Sequence, residues 1–141
     1  MRLTIFLLSS VALYASDFLH ALRDPLSYGP PAVVGLAGYL DWSSSQRYFE
    51  QGWVEANARY TQSGKRNAKP IDAAAGYRRI ALREVLPALG ISVGVNTFSY
   101  WLERRTCTWV GRVLRWSAAT ILISGTVPSF RQWRRNRNGT P

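Results

Sequence analysis

The residues with chemistry to offer cluster between positions 41 and 57. Asp41, Ser45, Tyr48, Gly52 and Glu55 step by three or four, so on one continuous helix a 3.6-residue period stacks them along a single side. Carboxylates, hydroxyls and the amide of Asn57 can bind a cation, bond across a helix interface or move a proton. Paired acid–base chemistry of the glycosidase kind does not fit that helix. Asp41 and Glu55 lie fourteen residues apart, about 21 Å at 1.5 Å per residue. The rest of the chain offers less. His20, Cys107 and scattered acids form no recognisable triad or metal site. A lone cysteine excludes an internal disulfide and a cysteine-only metal centre. The chain therefore reads as non-enzymatic, with no cofactor and no metal.

The elements that would hold these residues are apolar blocks separated by basic connections. Seven basic residues fall from Arg59 to Arg83 and four more follow Phe130, whereas 85–102 carries no charge. A net charge of +10, mostly from arginine, would by itself suit nucleic acid, anionic lipid or an acidic partner. Its distribution favours the positive-inside pattern of a membrane protein. Nucleic acid is disfavoured, since there is no zinc-finger spacing, phosphate-binding glycine loop or helix-turn-helix signal. The mean hydropathy of −0.12 points mildly the other way, because the arginines depress the average.

Four candidate spans follow, at 3–20, 31–50, 85–102 and 110–128. In the first, Met1-Arg2 precedes an apolar run and admits a signal peptide. Leu13, three back from a cut after Ala15, is not the small residue such sites favour. A retained helix is the reading adopted, with Asp17 and His20 at its polar end. The second begins at Pro30-Pro31, where a missing N–H costs nothing. Asp41 falls near its middle, where a carboxylate costs on the order of 2.5–3.5 kcal/mol to insert. It therefore needs a partner, a wet face or a shallower position. Ser44 and Ser45 can bond across an interface, Gly52 permits close helix approach, and Glu55 and Arg59 can pair on the exit turn. Trp53 and Tyr60 suit an interfacial depth.

Asp41, Ser44, Ser45, Gly52, Glu55 and Asn57 resemble the Asp, Ser-Thr, Gly, Glu-x-Asn-Pro pattern of small bacterial multi-helix membrane proteins of unknown function, the DUF5658-like type. Ser45 stands where that pattern has threonine, and Ala58 replaces its proline. The resemblance covers about 20 residues. It implies a compact helical membrane domain and no particular reaction.

Downstream, 59–83 reads as a basic cytoplasmic connection, with Asp72 capping a helix that starts at Ala73. Arg78, Arg79 and Arg83, with Arg131, Arg134 and Arg135 of the basic tail 131–141, are placed to meet anionic headgroups at about 1 kcal/mol each. In the third span Gly90 and Gly94 have small-xxx-small spacing for helix packing. Asn96 is positioned to bond Asp41 or a serine of the second helix, completing a polar network of Asp41, Ser44, Ser45, Gly52, Glu55, Asn57 and Asn96. Pro87 is expected in the first turns of its helix, and Arg112 and Arg115 are expected to snorkel.

The expected fold is thus all-α, a small polytopic bundle of four transmembrane helices with both termini cytoplasmic, in a bacterial inner membrane. The expected function is structural or accessory, as a small subunit of a larger membrane complex or a homo-oligomer. The alternative is an oligomeric solute or ion transporter or channel lined by Asp41, Ser45, Glu55 and Asn96.

Overall fold

The computed structural model describes residues 14–105 and 108–139 and is all-α. In these residues lie α1 (14–23), α2 (Gly29–Glu50), α3 (Ala73–Ile80), α4 (Leu86–Arg105), α5 (Thr108–Ser124) and α6 (Val127–Arg137). Two 3-10 turns, Pro25–Ser27 and Ala58–Tyr60, interrupt the connections. Residues 3–13 of the first expected span, and Cys107, lie outside the described residues.

A π-helical turn, Ala81–Val85, joins α3 to α4. The result is one helix of 33 residues, Ala73–Arg105, about 50 Å long. Among the described residues it is the one helix long and apolar enough to cross a membrane. The N–H of Leu86 bonds back five residues to the carbonyl of Ala81. Pro87 follows directly, and a proline ring crowds the carbonyl four residues before it and supplies no donor. Pro87 therefore sits inside a long helix, not at its start, and the widened turn accommodates it.

Where α2 ends matters most for the site. Trp53 N–H bonds the Tyr48 carbonyl and Gly52 N–H bonds the Phe49 carbonyl, both at 3.0 Å, with Gly52 at φ +88°. That is a Schellman stop, which needs the left-handed region glycine reaches without strain. Gly52, Glu55 and Asn57 are consequently off the helix, and the expected continuous stripe breaks at Glu50. Gly52 meets nothing within 4 Å of where a Cβ would stand, so it terminates a helix instead of packing one. The fourth expected span, 110–128, is likewise divided, since α5 stops at Ser124 and α6 starts at Val127. Pro128 in the first turn of α6 has no N–H to donate to the Ser124 carbonyl, so α5 does not continue through it. The tail 131–141 is helical through Arg137.

Contacts divide the chain into two units, Met1–Ala32 with Ala88–Ile123, and Val33–Pro87 with Ser124–Pro141. The first is held by polar groups. Ser27 donates to the Ala21 carbonyl at 2.6 Å and accepts from Asn96 Nδ2 at 2.8 Å, all buried. Arg104 pairs with buried Asp17 at 2.9 Å, so Asp17 has an arginine for its partner, while His20 packs against Tyr100. Arg115 does not snorkel. It turns inward, 11% exposed, onto Glu103 at 2.7 Å, with Asp24 at 3.9 Å and the Tyr100 ring at 4.2 Å. Gly111 admits this approach, since a Cβ there would stand 2.6 Å from the Ser99 carbonyl.

The second unit is pinned by Trp42. Its indole is buried, donates to the Ala73 carbonyl at 3.1 Å and packs against Phe49 and Tyr60. A Cβ on Gly76 would fall 2.0 Å from that indole, so only glycine lets α3 lie there. Asp72 caps α3 through the Ala75 N–H at 2.8 Å, as the sequence predicts. The 55–71 segment is less open than an exposed loop. Glu55 and Ala68 form an antiparallel bridge, Thr61 and Pro70 a second, and Thr61 is buried against the Ala58 and Lys65 carbonyls.

Among the described residues many buried positions are polar and many large apolar side chains are exposed. Buried positions hold Asp17, Ser27, Ser92, Asn96, Ser99 and Asn136 beside alanines, Trp42 and Ile80, while Leu36, Leu86, Ile91, Phe98, Trp116 and Ile121 are more than half exposed. Water-soluble proteins bury large aliphatic residues first. Small and polar contacts between helices, with bulky apolar groups outward, are what hydrocarbon solvent selects.

Candidate functional site

A cavity of about 460 Å³ opens in the second unit, within the size range of small-molecule sites. One wall is α2, with Asp41, Trp42, Ser45 and Tyr48; a second is the segment after its stop, with Trp53, Glu55, Asn57 and Tyr60; Glu84 projects from the π-turn, and Gln132 and Asn136 come from α6. The Schellman stop makes this possible. By ending α2, it folds Glu55 back onto the cavity that Asp41 lines. The 21 Å spacing of a continuous helix therefore does not apply.

Asn136 ties α6 to α2. Its Nδ2 donates to Ser44 Oγ and Ser45 Oγ, both at 3.0 Å, its Oδ1 accepts from Gln132, and its carbonyl accepts from Tyr48 at 2.8 Å. Both serine hydroxyls donate to the Asp41 carbonyl, so each serves as donor and acceptor at once. No hydrogen bond or ion pair from a described residue reaches the Asp41 carboxylate.

Three carboxylates line the cavity, Asp41, Glu55 and Glu84, and no Lys, Arg or His does. In a chain of net charge +10 this is a local inversion of sign. Glu84 accepts the Tyr60 hydroxyl proton in a hydrogen bond. Burial, and then that bond, push the Tyr60 phenol above its ordinary range. Glu55 accepts from the Asn57 N–H at 2.6 Å. Burial still raises its carboxyl above the usual glutamate value, against the opposing pull of the Asn57 and Ala56 backbone. No group of three His, Cys, Asp or Glu among the described residues is close enough to hold a metal ion.

Of the expected polar network, Asp41, Ser45, Glu55 and Asn57 line the cavity, and Ser44 is joined to it through Asn136. Asn57 also caps the turn at Ala58 by accepting from the Arg59 N–H. Gly52 is not a lining residue. Asn96 belongs to the first unit and bonds Ser27, so neither Asp41 nor a serine of α2 is its partner.

Gly90 and Gly94 meet nothing within 4 Å of a built Cβ. They line a shallow apolar groove with Phe18, Phe98 and Trp101, so among the described residues the close packing falls on Gly35, Gly38, Gly76 and Gly111 instead. Arg78, Arg83, Arg131, Arg134 and Arg135 are exposed, and Arg79 donates to the Arg59 carbonyl.

Sequence reasoning missed Trp42, Tyr60, Glu84 and Asn136 as site residues. Gly76 carried a usable signal for Trp42, because glycine inside the helix-forming run 73–80 costs about 1 kcal/mol against alanine and implies a close neighbour. Asn136 among tail arginines carried none.

No protein-family model, curated protein or solved structure matches the chain.

Proposed function

We propose that the chain is an integral membrane protein of four crossing segments, with both termini on the cytoplasmic side, serving as a small accessory subunit without catalytic machinery of its own. The supporting observation is the burial pattern, with serines and asparagines inside beside Trp42 and Ile80, and Leu36, Leu86, Ile91, Phe98, Trp116 and Ile121 outside. In water those exposed side chains would be an association hazard, whereas in lipid they are solvated. The segments are residues 3–20, α2, residues 85–102 and α5. At 22 residues, α2 is about 33 Å long and matches roughly 30 Å of hydrocarbon. Exposed Arg78, Arg83, Arg131, Arg134 and Arg135 then meet anionic headgroups. The likeness at 41–57 to small bacterial membrane proteins agrees with a bacterial inner membrane as the setting.

Washing membranes with high salt and alkaline carbonate tests this reading. Retention until detergent is added is expected, with integration weakened by deleting 1–20. Release into the wash would overturn it.

A second reading, a solute-binding or solute-conducting unit, is favoured by one observation. Asp41, whose carboxylate has no hydrogen-bond or ion-pair partner among the described residues, lines a cavity of about 460 Å³. A charge in a membrane segment is costly unless the site it faces is wet or takes a counter-ion.

A further inference from the structure

The chemistry of the cavity narrows what that second reading would admit. Two features of the lining are independent of each other. One is electrostatic, since Asp41, Glu55 and Glu84 come from three separate elements with no basic side chain among the lining residues. The other is aromatic. The rings of Tyr48 and Trp53 stand 6.0 Å apart at 68°, forming a corner, and Trp42 and Tyr60 make a second ring pair at 5.2 Å. The Tyr48 ring already takes one cation, the Arg47 guanidinium, 4.7 Å from its centroid.

Each feature excludes a class of ligand. Three carboxylates disfavour an anion. Their separation leaves no metal-binding group of three among the described residues. Faces of Trp and Tyr attract a diffuse cation through the ring quadrupole, and rings set at an angle around carboxylates form the arrangement that recognises quaternary ammonium groups. Such a cation keeps little of its hydration, so it leaves water for an aromatic corner more readily than a small inorganic ion does.

We propose that the cavity between α2, the 53–60 segment and α6 is a binding site for a small organic monocation, a quaternary or protonated amine. The Asp41 carboxylate is its counter-ion and the Tyr48–Trp53 corner its seat. The proposal rests on reading this cavity as a solute site. Glu84 accepts from the Tyr60 hydroxyl and Glu55 from the Asn57 N–H, which leaves Asp41 as the lining carboxylate with no hydrogen bond or ion pair from a described residue.

The test is titration calorimetry, with tryptophan fluorescence beside it, on the full chain purified in detergent. The probes are choline and dimethylbutanol, the neutral carbon isostere of choline. Choline is expected to saturate one site and to quench tryptophan emission, with the isostere at least about tenfold weaker. Asp41→Asn and Trp53→Leu should each weaken choline by about tenfold, while Lys65→Ala on the far turn leaves it unchanged. Equal binding of choline and its isostere would overturn the cation proposal and keep the solute reading. Saturation by neither would overturn both. The isostere comparison uses the unmutated protein, so it decides the matter even where a variant does not fold.

Discussion

Asn136 has both amide protons, its side-chain oxygen and its carbonyl in hydrogen bonds, to Ser44, Ser45, Gln132 and Tyr48. Replacing it with alanine leaves two serine hydroxyls and an amide short of partners in a partly buried place. A loss of about 1–3 kcal/mol is expected, measured as a lower unfolding midpoint in detergent; an unchanged midpoint would mean the clamp is not made. Glu55 supplies a prediction of opposite sign. Its carboxyl is raised by burial, so in a pH window opening at the ordinary glutamate range the folded chain holds a proton that the unfolded chain has released. Its contribution to stability is full below that window and is lost as pH rises through the folded value. Glu55→Gln, which keeps the acceptor for the Asn57 N–H, should flatten the decline in thermal midpoint with rising pH. A wild-type midpoint that climbs through the same interval, with the variant flat, would contradict the assignment.

At the scale of elements, the glycines separate two kinds of inference. The Gly90–Gly94 spacing is the one that sequence rules favour for helix packing, yet neither glycine has a neighbour within 4 Å of a built Cβ. Gly76 has no such spacing and sits 2.0 Å from displacing the Trp42 indole. Gly76→Ala should therefore destabilise by about 1–3 kcal/mol through overpacking, while Gly90→Ala leaves the midpoint unchanged or raises it. The reverse order in a thermal-melt comparison would place the packing seam at Gly90.

Much of this scale was legible in the chain. The cap at Asp72 and the all-α class follow from local chemistry, whereas Pro87, expected in the first turns of its helix, lies inside a longer one, and the span expected through Pro128 divides after Ser124. The end of α2 was legible too, since Gly52 is a standard stop, but the run of polar residues continuing at helical spacing to Glu55 concealed it. Asn96 shows the harder limit. Its need for a buried partner follows from its type, whereas its choice of Ser27 over a serine of α2 is set by tertiary placement that no local pattern encodes.

For the whole molecule, the central claim is that bulky apolar residues in both units face hydrocarbon. Alternating basic and apolar blocks suggest it from the sequence, although arginine holds the mean hydropathy to −0.12. The average hides an uneven distribution, since 85–102 carries no charge while α6 alone carries Arg131, Arg134, Arg135 and Arg137. The most direct measurement is spin-label accessibility in lipid vesicles. The single native cysteine is replaced by Cys107→Ser, and one label at a time is placed at Leu36, Ile91 or Val113, with Lys65 as the aqueous control. These three side chains are all more than half exposed. The account predicts that molecular oxygen, which concentrates in lipid, relaxes the labels at 36, 91 and 113, and that a water-soluble nickel chelate reaches only the label at 65. Strong relaxation by the chelate at 36, 91 and 113 would put those faces in water and contradict it.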